Sequence, residues 1–154
     1  MLLKPFGPDD LETVAPWFQD AETQRWLGGA GWPRLCISLA GPMRRVYLGL
    51  DVELAVGLID IEIHPDRRAS FANVIAPEHR GKGFGTALLR AMVAEPALED
   101  IEEFFAGTER GNVASRRLLE RCGFHAVTGE DEEGFTYFAL RRRGAPTRPW
   151  SLPA

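Results

Sequence analysis

The chain has 154 residues, 45% hydrophobic and 26% charged, the mix expected of one domain with its own core. A net charge of −4 offers no basic surface for nucleic acid, and no apolar run reaches the length of a membrane span. Met1 to Pro5 lacks the apolar segment of a secretion signal, and Cys36 and Cys122 form neither a metal spacing nor a disulfide framework, so a reducing cytoplasm is the expected compartment.

Leu2 to Phe6 reads as a first strand. Pro8-Asp9-Asp10 opens a helix with an acidic first turn, and Leu11, Val14, Ala15 and Phe18 continue it at helical spacing, with Pro16 as an interruption. A second short helix covers Thr23 to Leu27. Gly28 to Pro33 reads as a loop, with Trp32 either buried beneath it or forming a mobile wall. Arg45 to Leu50 and Ala55 to Ile63 are strands; in the second, Ile59, Ile61 and Ile63 share one face and Asp60, Glu62 and His64 the other. A turn at Pro65 to Arg68 leads into a strand, Ala69 to Ala76. Phe84 to Ala94 is a helix stopped near Pro96, and Ile101 to Gly107 is a further strand. Asn112 caps a helix that ends at Gly123. Phe124 to Val127 and Phe135 to Leu140 form a hairpin around an acidic tip, Glu130 to Glu133. Residues 1–143 make one domain, and the proline-rich tail, 144–154, reads as flexible.

The segment between the strand closed by Pro77 and the helix from Phe84 carries the chemistry. It runs Arg80-Gly81-Lys82-Gly83-Phe84-Gly85-Thr86. A helix start offers unpaired N–H donors and the positive end of the macrodipole, glycines let an anion approach the backbone, and Arg80 and Lys82 add charge. That describes a pyrophosphate cradle; the plain alternative is a turn with solvated cations. The spacing excludes two nucleotide templates. Gly81-Lys82 is followed by glycine rather than serine or threonine, and Gly81, Gly83 and Gly85 miss the G-x-G-x-x-G pattern.

Arg80-x-x-Gly83-x-Gly85, followed by Asn112-x-x-Ser115-x-x-Leu118 and Gly123-Phe124, resembles the two cofactor motifs of the GNAT superfamily of acyl-CoA-dependent N-acyltransferases over roughly residues 2–142. The resemblance implies an α/β fold: a mixed sheet of six to seven strands, splayed between the fourth and fifth, flanked by about four helices. It implies acetyl-CoA as co-substrate and no metal. Arg80, Gly81, Lys82, Gly83, Phe84, Gly85 and Thr86 would hold the pyrophosphate. The main chain of Val74, Ile75 and Ala76 would pair with the pantetheine arm, which Asn112 and Ser115 would also contact. The implied activity is acetyl transfer to a primary amine of a small molecule, peptide or protein, directly within a ternary complex, without nucleic-acid or membrane partners. The hairpin and tail are compatible with a homodimer. Asp20-Ala21-Glu22 and Arg25-Trp26-Leu27 are similar to the branch that includes aminoglycoside and ribosomal-protein N-terminal acetyltransferases.

The chain also departs from the family. Leu119 stands where relatives commonly carry an acidic tyrosine, so Tyr137, Ser115 or water must protonate the leaving thiolate. The start of the cradle's strand, Arg67-Arg68-Ala69-Ser70, lacks the usual glutamate. Glu62 and Asp60, with His64 beside them, are the candidate bases, against a plain reading as a solvent-facing strand edge. Tyr137 has a plain reading too, as a packed strand aromatic. These departures motivate an alternative function, a CoA-binding sensor or interaction module without catalysis. The acidic hairpin tip either attracts a cationic amine or is a solvated turn.

Overall fold

A computed structural model describes residues 1–154. Strand β1 is Leu2–Pro5. Three short helices follow: α1 Leu11–Val14, α2 Ala21–Leu27 and α3 Gly31–Leu39. Next come β2 Arg44–Asp51, β3 Leu54–Ile63 and β4 Arg68–Ile75. Helix α4 Phe84–Ala94, strand β5 Glu103–Glu109, helix α5 Val113–Arg121 and strands β6 His125–Ala126 and β7 Phe135–Arg141 complete the domain. Pro16 has no N–H to donate, and the first helical segment passes from α to 3₁₀ geometry at Ala15–Gln19.

The strands form one seven-stranded sheet in the order β1-β2-β3-β4-β5-β7-β6. All neighbours are antiparallel except β4 and β5. That parallel pair is in register only at Arg68–Glu103, Ala69–Phe104 and Ser70–Phe105. Beyond it β4 stays with β3 as far as Ile75, while β5 follows β7 as far as Glu109. The two strands therefore splay, as the sequence resemblance implied, and the β5-facing edge of β4 from Phe71 onward has no strand partner.

Two cores hold the layers together. On one face α4 and α5 pack Leu88, Leu89, Met92 and Leu119 against Tyr47, Ile59, Ile61, Phe71, Phe104 and Phe138. Each fully buried side chain of this size contributes about 1.5–3 kcal/mol through burial. On the other face α1 to α3 bring Val14, Phe18 and Cys36 onto Val46, Leu48, Leu58 and Val74. The alternation along each strand sends Phe104 and Phe138 to the first face and Phe105 and Tyr137 to the second.

One expectation is corrected. Helix α3 occupies part of the segment read as a loop: Pro33 sits in its first turn, where its missing N–H costs nothing, and Pro33 and Cys36 face the core. Trp32 is part of that helix, half-buried and stacked on Phe18 at 5.6 Å, so it is a packing residue, and five α-helices flank the sheet. The tail carries no helix or strand, but it lies against the second face of the sheet. Trp150 stacks on Tyr137 at 5.4 Å, and Arg68 donates to the Ser151 carbonyl at 2.6 Å.

Candidate active site

A cavity of about 760 Å³ opens where β4 leaves β5. Its walls are Phe71 to Ile75 on β4, the cradle, Ala106 and Gly107 on β5, Asn112 and Ser115 at the start of α5, and Glu22 and Trp26 from α2. Gly81 and Gly83 adopt φ of +70° and +85°, a conformation that L side chains rarely take. A Cβ at either would meet nothing within 4 Å, so the backbone there faces open space. Gly83 is the residue from which α4 starts, leaving the N–H groups of the first turn directed at that opening. Gly85 has a different constraint, since a Cβ would come to 3.2 Å from Leu118, and it sets how closely α4 approaches α5. Phe84 and Thr86 also line the cavity.

Asn112 Oδ1 accepts from the Ser115 N–H at 3.2 Å and caps α5. Its amide NH₂ is left over as a donor in a residue that lines the cleft. The unpaired edge of β4 brings Val74 and Ile75 into the same wall. Ala76 does not join them: it is fully buried and its N–H bonds the Val56 carbonyl at 2.9 Å. Lys82 is exposed at the turn and is not part of the wall. Arg80 lines the cleft, but its guanidinium is engaged. It donates to Asp20 Oδ2 at 2.9 Å, to Thr23 Oγ1 at 2.7 Å and to Glu22 Oε2 at 3.3 Å. The Thr23 backbone N–H and then Arg80 hold the Asp20 carboxyl below the usual carboxylate range.

A second cavity, about 380 Å³, lies on the other face. Arg44, Asp60, Glu62, His64, Ser70 and Tyr137 line it, with Leu152 and Pro153 from the tail. Phe71, Ala72, Ala106 and Gly107 line both cavities, so the two meet through the splay. A Cβ at Gly107 would come to 3.0 Å from the Tyr137 ring, which lies over that strand.

The candidate bases separate clearly. Asp60 is buried and bidentate to Arg44, Nε to Oδ1 at 2.9 Å and Nη2 to Oδ2 at 2.6 Å, so it is an internal ion pair that fixes Arg44. Glu62 keeps 52% of its side chain exposed and stands 3.7 Å from the same guanidinium. His64 Nε2 is 3.0 Å from Ser70 Oγ, and its ring stacks on Phe105. Burial, then Asp131 and Glu133, raises the Tyr137 phenol, which therefore keeps its proton at neutral pH. It lines the groove and Ser115 lines the cleft, so the two acid candidates stand on opposite sides of the gap. Leu119 is 2% exposed in the core and has no proton to give. Burial and the neighbouring Asp60 carboxylate push the Cys36 thiol up to about 12, far from a nucleophilic thiolate. At the hairpin tip Glu130 pairs with Arg110 and Asp131 accepts from the Phe135 N–H, the arrangement of a solvated turn.

Sequence reading missed His79 in the cleft and Arg44, Leu152 and Pro153 in the groove; it noted Glu22 and Trp26 only through the resemblance to an acetyltransferase branch, and they line the cleft. His79, beside Arg80 and edge-on to Phe84, was within reach of the motif. Arg44 pairs across to Glu62, which only strand register reveals. No group of three or more His, Cys, Asp and Glu residues is arranged to hold a metal ion, and no helix is long and apolar enough to cross a membrane.

Comparison with known proteins adds independent support. Residues 1–125 match the family model described as the acetyltransferase (GNAT) domain. An uncharacterised N-acetyltransferase of Bacillus subtilis, YfmK, is 26% identical over 135 residues, covering 86% of this chain and 90% of that protein. A spermidine N(1)-acetyltransferase of Vibrio cholerae is 36% identical over 72 residues, 45% of this chain and 42% of that protein. Among solved structures, an aminoglycoside acetyltransferase, AAC(6')-Ib, in complex with coenzyme A superposes with a TM-score of 0.75 at 19% identity, covering 92% of this chain and 94% of that one. With the family model spanning most of its length and the splayed sheet in place, the chain belongs to the GNAT acetyltransferase family.

Proposed function

We propose that the protein transfers the acetyl group of acetyl-CoA to a primary amine within a ternary complex. One observation carries this reading: the cleft with the glycine cradle and the groove with Glu62 and Tyr137 meet through the splay, at Phe71, Ala72, Ala106 and Gly107. A thioester held in that gap faces an amine arriving from the other side of the sheet, the proximity that such a transfer needs. The cleft fits the donor. Gly81, Gly83 and the first turn of α4 offer N–H groups to a pyrophosphate, and the free edge of β4 offers main-chain partners to the amides of the arm. Lys82 and the engaged Arg80 contribute background charge at most.

The amine nitrogen attacks the thioester carbonyl carbon, the C–N bond forms and the C–S bond breaks. Glu62 accepts the proton that the amine loses, directly or through water. Backbone N–H groups of the β4 edge stabilise the oxyanion. The thiolate takes a proton from Ser115, Tyr137 or water. Neither cysteine forms an acyl-enzyme, because burial raises both thiols. The N-acetyltransferase names of the similar proteins support an amine as acceptor. We place the reaction in one domain, residues 1–143, in the cytoplasm, where free thiols persist.

Thiol release from acetyl-CoA across an amine panel tests the proposal. Turnover with at least one amine is expected; tight CoA binding without turnover on any would sink it. That negative result would favour the second reading, a CoA-binding module, which the buried Leu119 supports.

A further inference from the structure

The tail is anchored more firmly than its composition suggests. Arg68 and Glu103 are 4% and 5% exposed, and they are the register pair at the root of the splay. Both turn toward the tail. Arg68 donates to the Ser151 carbonyl at 2.6 Å while also pairing with Asp66, and Glu103 accepts from Trp150 Nε1 at 2.9 Å and from Arg141 at 3.3 Å. Arg148 donates to the Asp66 carbonyl at 3.0 Å. Trp150 lies edge-on to Phe105 and flat on Tyr137, and the Arg68 guanidinium sits 5.7 Å from its ring centroid. Pro149 and Pro153 fix φ on either side of these contacts, which lowers the entropy lost in holding one path. From this anchor the chain runs on so that Leu152 and Pro153 become walls of the groove that holds Glu62 and Tyr137.

We propose that residues 148–153 are a specificity strap, a wall that restricts the acceptor groove to compact amines. This rests on the acetyl-transfer reading and narrows its substrate class. The groove's volume, about 380 Å³, is at the small end of ligand sites. Its charge also points to one ammonium group. Arg44 takes both oxygens of Asp60 and stands farther off, 3.7 Å, from the half-exposed Glu62, which is therefore the carboxylate more open to a cation. An apolar wall of Leu152 and Pro153 receives a short alkyl stem and refuses a branched or polycyclic body. A slender monoamine fits this description; a bulky polyamine or a protein terminus with ordered neighbours does not.

Two variants test the strap: a chain ending at Thr147, and full-length Trp150→Ala, which keeps the chain length should truncation impair folding. Each is assayed by thiol release with propylamine, spermidine and kanamycin, alongside CoA affinity by calorimetry. In the intact protein kcat/KM is expected to favour propylamine. In both variants the propylamine-to-kanamycin ratio should fall about tenfold or more, the scale of steric discrimination in a pocket, while CoA affinity holds. An unchanged ratio would overturn the strap and leave acetyl transfer standing. A uniform loss of rate across the panel would overturn it too, because a wall acts on size. No thiol release from any form that still binds CoA would remove the acetyl-transfer reading, and the strap with it.

Discussion

The donor cleft and the acceptor groove touch at four residues, yet they are built from different material. In the cleft the groups offered to the donor are mainly backbone: two left-handed glycines, the first turn of α4 and the unpaired edge of β4. The groove is made of side chains from distant parts of the chain, Arg44 on β2, Glu62 on β3, Tyr137 on β7 and Leu152 in the tail. A backbone site tolerates wide change in sequence as long as its glycines and strand ends persist. A side-chain site can be re-specified by one substitution. One scaffold can therefore keep its donor while its acceptor drifts.

If that contrast holds, damage on each side should have its own signature. The largest effect is expected from Glu103→Ala. It removes the buried carboxylate between Arg68, Arg141 and Trp150, and should cost about 3 kcal/mol, the low end for breaking a buried pair because Asp66 still faces Arg68. Urea denaturation measures the loss. Acceptor selectivity should loosen along with it, because the tail's anchor goes. Full stability in this variant would show that the groove's walls do not depend on the pair. Next is Glu62→Gln, expected to lower kcat roughly 100-fold as the loss of a general base, with CoA affinity unchanged. The deficit should shrink at higher pH, where the amine deprotonates unaided. A variant as fast as the parent at neutral pH would remove Glu62 from the chemistry.

The same contrast explains what could be read from the chain. The cleft was legible because its physics leaves local marks. Glycines at fixed offsets after a strand, and an asparagine three residues before Ser115, announce themselves in a single window. The splay came only with the family resemblance that those motifs carry. The pairing of Arg80 is not legible in the motif because its partners, Asp20 and Glu22, lie about sixty residues upstream. Asp60 passed for a candidate base because alternation assigns a face and says nothing of Arg44 across the ladder. The tail's prolines and polar residues matched a flexible end, and only the buried Arg68 and Glu103 show what holds it. Helix α3 was lost to its glycines and Pro33, which mark loops as readily as helix starts.

On the donor side Gly83→Val is the matching test. A β-branched residue at φ of +85° carries a strain of about 1–2 kcal/mol, which the loop relieves by moving the α4 N-terminus out of position. CoA should bind about tenfold more weakly by calorimetry, in line with that strain. The acceptor profile at saturating CoA should not change. A shifted profile would mean that the two sides are coupled through more than their shared gap.

The smallest effect is expected at helix α2, which walls the cleft through Glu22 and Trp26. Asp20 caps α2 through the Thr23 N–H and at the same time holds Arg80 of the cradle. Asn replaces it well as a cap but carries no charge, so Asp20→Asn isolates the ion pair. Released from that pair, Arg80 can turn to a phosphate, and CoA should bind about threefold more tightly, the scale of an exposed salt bridge. The effect should fade in high salt. It should also depend on pH in the parent alone. The Asp20 carboxyl is held below its usual range, so the pair is intact at neutral pH and lost only as pH falls through that lowered value; acid should bring the parent's CoA affinity toward that of the variant. Weaker CoA binding in Asp20→Asn would reverse the interpretation: Asp20 and Glu22 would then be aiming Arg80 at the phosphates.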